Sequence, residues 1–220
     1  MMNLYSWEVM ELSKTGKIYG INGPVIYLKG NTGFGMSEMV YVGRDHLVGE
    51  VIALDKDRTT IQVYEETSGL RPGEEVTASG NAVSVTLAPG ILNNIFDGIE
   101  RPLEKISETG GAFITKGISV DSLDREKKWD THFTVKKGDY VNGGDIFAEV
   151  PETRAIVHKC MIPPHLHGTV VSVREDGPYT IEEPLLTLDT ENGQTVEIPM
   201  AQKWPIRTPR PVSQRFAASV

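Results

Sequence analysis

The chain has 220 residues and a single cysteine, Cys160. One cysteine excludes a disulfide framework and suits a reducing compartment. There is no excess of basic residues either: 22 Lys and Arg stand against 30 Asp and Glu, a net charge of −8. A chain of that sign has no electrostatic footprint for nucleic acid, whose phosphates need neutralising. No apolar run reaches the roughly 18–20 residues that a membrane-spanning helix requires. The amino end, from Met1 to Glu11, alternates polar and apolar residues and lacks the apolar stretch of a signal peptide. Helical periodicity is also scarce. What the sequence has instead is punctuation: 22 Gly and 13 Pro, which favour many short strands over a few long helices.

From Lys17 to Leu87 the sequence repeats one pattern, a short β-branched or aromatic run followed by a glycine or charged turn. The runs are Lys17–Ile21, Pro24–Leu28, Met39–Val42, Val48–Leu54, Thr59–Tyr64 and Glu75–Leu87. Strands at this spacing predict a small closed six-stranded antiparallel barrel over about Lys14 to Asn81. Closure is favoured because it leaves no unpaired edge. After Pro89-Gly90 the spacing of Ile91, Leu92, Ile95, Phe96 and Ile99 turns helical. It predicts two short helices, about Ile91 to Phe96 and Pro102 to Ser107, within a linking segment 82–111. Strand chemistry resumes at Ala112-Phe113-Ile114, and 121–130 reads as a polar loop anchored by Trp129. Beyond it, Lys137-Gly138-Asp139 and Gly144-Asp145 place two Gly-Asp turns six residues apart among short strands. Further strands are expected at Ala155–Lys159, Gly168–Arg174, Tyr179–Glu182, Leu185–Asp189 and Thr195–Met200. Together these predict a second β-rich, barrel-sandwich-like unit over about 112–190. The tail, 191–220, with three prolines between Trp204 and Pro211, reads as an extended connector. The expected fold class is therefore mainly β.

The candidate reactive groups each have a plainer reading. His165 and His167 lie near Cys160 but lack a second ligand pair at zinc-like spacing, so they read as turn histidines. Cys160 has no nucleophile's company and reads as a small buried hydrophobe. Glu65-Glu66, Glu74-Glu75 and Glu182-Glu183 sit at turns and read as solvated charge. The glycine clusters Gly30 to Gly35 and Gly110 to Gly117 lack the lysine-hydroxyl pair that lets a phosphate-binding loop hold phosphates and magnesium. Lys116 of the second cluster precedes a glycine. Arg125, Lys127 and Lys128 around Trp129 are neutralised by Asp121, Asp124, Glu126 and Asp130. No catalytic, cofactor-binding or metal-binding residue is assigned.

The run from Val135 through Ile146, with Pro163-Pro164 and Gly168-Thr169-Val170, resembles biotinyl or lipoyl carrier domains. Lys159 lies between His158 and Cys160, without the flanking residues of an attachment lysine. A stand-alone carrier or β-rich interaction module is the alternative reading.

A second resemblance spans about Lys14 to Pro211. Its residues are Gly23-Pro24-Val25, Val48-Gly49-Glu50-Val51-Ile52, Ile61 through Leu70, Leu87-Ala88-Pro89-Gly90 and Phe96 through Leu103. The later ones are Asp124 through Trp129, Val150-Pro151-Glu152-Thr153 and Trp204 through Pro211. In this order they resemble the amino-terminal part of the catalytic A subunits of rotary V/A-type ATPases. The resemblance implies a parent enzyme that couples ATP hydrolysis or synthesis to H⁺ or Na⁺ transport, using ATP and Mg²⁺. It implies B subunits of an A3B3 ring and a peripheral stator as partners, and a peripheral complex on the cytoplasmic face of a membrane. The 112–190 unit would be the bulge inserted in such catalytic chains, and the tail would lead towards a nucleotide-binding domain that these 220 residues do not contain. The expectation for this stretch alone is a cytoplasmic, monomeric structural part, neither inserted in the membrane nor itself an enzyme.

Overall fold

The computed structural model describes residues 14–30, 32–110, 116–117 and 120–210. The described residues within Met1–Ser84 and Ile106–Ser119 form one compact unit, and those within Val85–Lys105 and Val120–Val220 form a second. The expected strand at Ala112-Phe113-Ile114 lies outside the described residues.

In the first unit, β1 (Thr15–Asn22), β2 (Val25–Lys29), β3 (Glu38–Val42), β4 (Leu47–Leu54), β5 (Arg58–Val63) and β6 (Glu75–Ala82) close into an antiparallel barrel. The strand order is β1-β2-β5-β4-β3-β6, and Thr15 to Lys17 of β1 pair with Thr77 to Glu75 of β6 to complete the circle. Alternation along each strand sends one residue in two inward. Ile26 and Leu28 of β2, Val40 and Val42 of β3, Val51 of β4, and Ile61 and Val63 of β5 fill the interior with Ile18, Leu47 and Val76. Phe34, from the β2–β3 loop, plugs the same core. The circle is too small for a side chain at every inward position. At Gly49 an added Cβ would sit 3.0 Å from Ile61 Cγ2, 3.1 Å from the Gln62 carbonyl oxygen and 3.3 Å from Val40 Cγ2, so a side chain there has to push its neighbours in β3 and β5 aside.

The second unit contains two four-stranded antiparallel sheets. One has the order β11-β10-β8-β13, from β8 (Trp129–Phe133), β10 (Ile146–Pro151), β11 (Val157–Met161) and β13 (Gly177–Tyr179). The other has the order β15-β14-β12-β9, from β9 (Tyr140–Val141), β12 (Gly168–Val173), β14 (Leu186–Thr190) and β15 (Thr195–Ile198). Phe147, Val150, Cys160 and Ile162 from the first half of the unit share one core with Val170, Leu186, Leu188 and Ile198 from the second. The two Gly-Asp turns are near copies of one another. Gly138 and Gly144 have φ of 93° and 94°, a left-handed conformation natural to glycine. Asp139 accepts the Lys136 amide at 2.9 Å, and Asp145 accepts that of Asn142 at 2.7 Å. Each turn is then tied across by backbone bonds, Gly138 and Asp139 to Val170, Gly144 and Asp145 to Ile162.

Three expectations are corrected. No helix forms at Ile91–Phe96. Short polar side chains there take the backbone groups a helix would need: Asn94 donates to the Gly90 carbonyl, and Asp97 accepts the amides of Ile99 and Arg101. Asn93 has a φ of 68°, and Phe96 bridges back to Pro102. The apolar spacing instead places Ile91 and Phe96 against the second unit's core. One helix, α1 (Leu103–Gly110), follows. The long strand expected over Glu75–Leu87 breaks after Ala82, leaving β7 (Ser84–Leu87) to pair with β16 (Gln202–Pro205). Within the described part of the tail, Thr195–Ile198 and Gln202–Pro205 are strands and a turn follows, where a bare extended connector was expected, and Trp204 donates its indole N–H to the Thr208 carbonyl at 2.7 Å; residues 211–220 lie outside the described residues. No helix among the described residues is long and apolar enough to cross a membrane.

Replacing Gly49 by valine should overpack the barrel and cost about 1–3 kcal/mol. Urea unfolding followed by far-ultraviolet circular dichroism measures this, and an unchanged midpoint would contradict the account of Gly49.

Candidate functional site

The groups that could have been reactive are scattered. Cys160 is 2% exposed, and burial pushes its thiol up to about 12. At neutral pH it holds almost no thiolate, the form that reacts. His165 is exposed, and His167 Nε2 lies 3.4 Å from a Glu191 carboxylate oxygen. No three His, Cys, Asp or Glu side chains among the described residues gather as metal ligands. Lys159 stands in the body of β11, away from the tip of its hairpin. Arg125 is paired with Asp121 at 2.8 Å and with Glu182 at 3.2 Å. Lys127 lies 3.8 Å from the centroid of the Trp129 ring. Trp129 itself opens β8 and is buried.

The carboxylates, by contrast, are engaged. Glu65 accepts the Val48 amide at 3.1 Å with one oxygen and the Gly117 amide at 3.0 Å with the other. Glu66 accepts the amide of Ser68, and the Thr67 hydroxyl donates to the Gly23 carbonyl at 2.8 Å. The Glu65-to-Leu70 turn thereby braces the β1–β2 hairpin. It also receives the returning chain, because Lys116 Nζ donates to the carbonyl and hydroxyl oxygens of Ser68. Gly117 closes this latch with a φ of 66°, and an added Cβ there would lie 2.1 Å from the Asp45 carbonyl oxygen.

Beside the latch, Glu74 accepts the amides of Arg71 (3.0 Å) and Arg44 (3.3 Å), holding two turns together. Between those turns lies an open groove of about 810 Å³, lined by Arg44, Asp45, His46, Leu70, Arg71 and Glu74 among others. Its walls carry charges of both signs and no nucleophile-base pair.

The second unit uses the same device. Glu152, whose side chain is 4% exposed, accepts the amides of Gly90 (2.7 Å) and Leu92 (3.1 Å) with one oxygen. Its other oxygen lies 3.5 Å from His158 Nδ1. Burial pushes the His158 pKa down against the pull of that carboxylate. Asp97 pairs with Arg101 at 2.7 Å while bonding two amides. Burial raises its pKa, but the amides and the guanidinium outweigh this and hold it low. Glu100 accepts the Thr86 amide at 2.7 Å, yet burial prevails and keeps its pKa raised. Glu183 accepts the Thr180 amide, which lowers its pKa.

Reading Glu65-Glu66, Glu74-Glu75 and Glu182-Glu183 as solvated charge therefore missed the turns that Glu65, Glu66, Glu74 and Glu183 hold. The local signal was partial: Glu74 follows Gly73, Asp97 precedes Gly98 and Glu152 lies between Pro151 and Thr153, whereas Glu65 stands between Tyr64 and Glu66. The whole arrangement is one of carboxylates that brace turns.

Comparison with known proteins gives these features a context. Residues 18–80 match the "ATP synthase alpha/beta family, beta-barrel domain", and residues 120–207 match the "ATPsynthase alpha/beta subunit barrel-sandwich domain". The chain is 48% identical over 205 residues to the V-type ATP synthase alpha chain of Halothermothrix orenii, a match covering 93% of this chain and 35% of that protein. It is 47% identical over 207 residues to the catalytic A subunit of the V-type proton ATPase of Neurospora crassa, covering 93% and 34% respectively. To the A subunit of the A-type ATP synthase of Pyrococcus abyssi it is 47% identical over 205 residues, covering 93% of this chain and 20% of that protein. The chain thus spans about a third or less of the length of these relatives.

The latch makes a direct prediction. Gly117→Ala should undock the Lys116–Gly117 segment, because its φ and the Asp45 carbonyl both oppose a side chain, at about 1–3 kcal/mol. Amide hydrogen exchange should then accelerate at residue 117 while the barrel strands stay protected. Unchanged exchange there would show that the latch tolerates a methyl group.

Proposed function

Because the chain belongs to the ATP synthase alpha/beta family, we propose that it supplies the structural amino-terminal region of the catalytic subunit of an ion-translocating rotary ATPase. The observation that carries this reading is the match of both folded units, in order, within A-type and V-type relatives at 47–49% identity. In the parent enzyme, ATP hydrolysis or synthesis would be coupled to H⁺ or Na⁺ movement, with ATP and Mg²⁺ bound by residues beyond these 220. The barrel joins a collar of such barrels around the ring formed with B subunits. The segment 112–190 is the inserted bulge, turned outwards towards the peripheral stator. The complex lies on the cytoplasmic face of a membrane without this region entering the bilayer.

The reading assigns no catalytic role to this stretch. Phosphoryl transfer needs amides and a lysine around the phosphates, with a hydroxyl and a carboxylate on Mg²⁺. Lys116 is spent on Ser68, and the carboxylates at the turns are spent on backbone amides. A net charge of −8 also disfavours an incoming polyanion.

Isothermal titration with Mg-ATP should give no saturable heat below about 1 mM, and phosphate release should stay at background. Micromolar binding at a single site, surviving moderate salt, would overturn the assignment of a purely structural role. In static light scattering at moderate concentration the chain should have the mass of a monomer, since the reading places its ring contacts on other chains. A stable trimer or hexamer of this chain alone would contradict that.

A further inference from the structure

We propose that the tip of the β10–β11 hairpin is a docking point for an acidic segment of a partner protein, one with apolar residues between its carboxylates. The proposal rests on the reading of the second unit as a contact element of a larger assembly, and it names the surface and the partner chemistry.

The tip is rigid before anything binds. The Glu152 and Thr153 amides both donate to the Ile156 carbonyl at 3.1 Å. The Thr153 hydroxyl accepts the amides of Ala155 (3.2 Å) and Ile156 (3.0 Å). Glu152 then anchors the base of the turn to Gly90 and Leu92. A loop fixed in this way loses little conformational freedom on binding.

On this frame stand two large apolar side chains in water, Ile156 at 48% and Val157 at 47% exposure. Pro151, directly across the ladder from Val157, is exposed as well. Arg154 at the turn and Lys159, two residues beyond Val157 in the body of β11, border them; both are exposed, and neither has an ion-pair partner among the described residues. Glu149 lies opposite Lys159 in register, yet the two form no ion pair. From Thr153 to Met161 there is no Asp or Glu, and the one carboxylate at the turn, that of Glu152, faces inward. On a chain with 30 acidic residues and a net charge of −8, the Thr153–Met161 stretch is basic beside exposed apolar surface, with Glu149 the one carboxylate facing it across the ladder.

A lysine on an edge strand such as β11 is an ordinary defence against unwanted strand pairing. That does not account for Arg154 at the turn, nor for two neighbouring apolar residues left uncovered. A partner with carboxylates for Arg154 and Lys159 and an apolar residue for Ile156 and Val157 completes both features. The patch is far smaller than a stable interface needs, so it acts as one footprint among several, with affinity gained from tethering.

The test uses the isotopically labelled 220-residue chain and three synthetic peptides: one with Leu and Glu at helical spacing, one with Lys in place of each Glu, and one with Ser in place of each Leu. The Leu-Glu peptide should shift amide resonances within 151–159 and weaken at least tenfold on Ile156→Ser or on Arg154→Glu. The peptide without Leu should bind at least tenfold more weakly than the Leu-Glu peptide. The Leu-Lys peptide should bind only the double variant Arg154→Glu with Lys159→Glu. An unchanged spectrum elsewhere confirms that each variant is folded. The proposal is overturned if no residue shifts, if the shifts centre elsewhere, or if the Glu and Lys peptides behave alike. Preference for phosphatidylserine vesicles over the Leu-Glu peptide would overturn it as well. None of these readouts involves nucleotide or oligomeric state, so a negative result removes the hairpin while leaving the family-based reading to its own measurements.

Discussion

Backbone amides stranded at turns are the problem this chain has to solve everywhere. The sixteen short strands and one helix among the described residues leave many N–H groups outside any ladder, and an unsatisfied amide in a half-buried turn costs as much as a lost hydrogen bond. The solution is a carboxylate. Glu38 takes the amides of Gly35 and Gly80, Glu65 those of Val48 and Gly117, Glu74 those of Arg71 and Arg44, and Glu152 those of Gly90 and Leu92. Asp124 does the same at short range and Asp176 across the sheet, and their amide bonds hold both pKa values below the ordinary range. Such bonds are charge-assisted and roughly twice as strong as neutral ones. The acidic composition is therefore part of the architecture as well as a property of the surface.

The same view accounts for the motifs that carry the likeness to ATP synthase catalytic chains. Within Ile61 to Leu70, Glu65 and Glu66 hold a turn; within Phe96 to Leu103, Asp97 holds another; within Val150 to Thr153, Glu152 pins a distant loop. A shorter side chain at Glu65 or Glu152 would not reach the two amides that each accepts.

The barrel was legible in the sequence because its information is local: alternation at Ile26 and Leu28, or at Val40 and Val42, fixes which face is buried without reference to any other strand. The Gly-Asp turns were legible for the same reason. The segment 91–96 was misread because its apolar spacing fits a helix while Asn93, Asn94 and Asp97 divert the backbone, and a periodicity count does not see those bonds. The pairing of β7 with β16 depends on chain far downstream and left no local mark. For the candidate site, the plain reading of Cys160 as a buried hydrophobe needed only composition, and the structure buries it. The roles of Glu65 and Glu152 were hidden because each partner lies far away in sequence: 52 residues for Gly117 and 62 for Gly90.

The twin Gly-Asp turns have a consequence for the order in which the second unit assembles. The loop closed by Asp145 with Ile162 lies wholly inside the loop closed by Asp139 with Val170, and it spans roughly half as many residues. Loop-closure entropy rises with the logarithm of length, about 0.6 kcal/mol per doubling. Closing the inner turn first shortens the free chain that the outer one has to gather and spares it about that amount. Nesting thus turns one long-range search into two shorter ones taken in sequence, with the turn beside the β10–β11 pair closing before the one beside the β9–β12 pair.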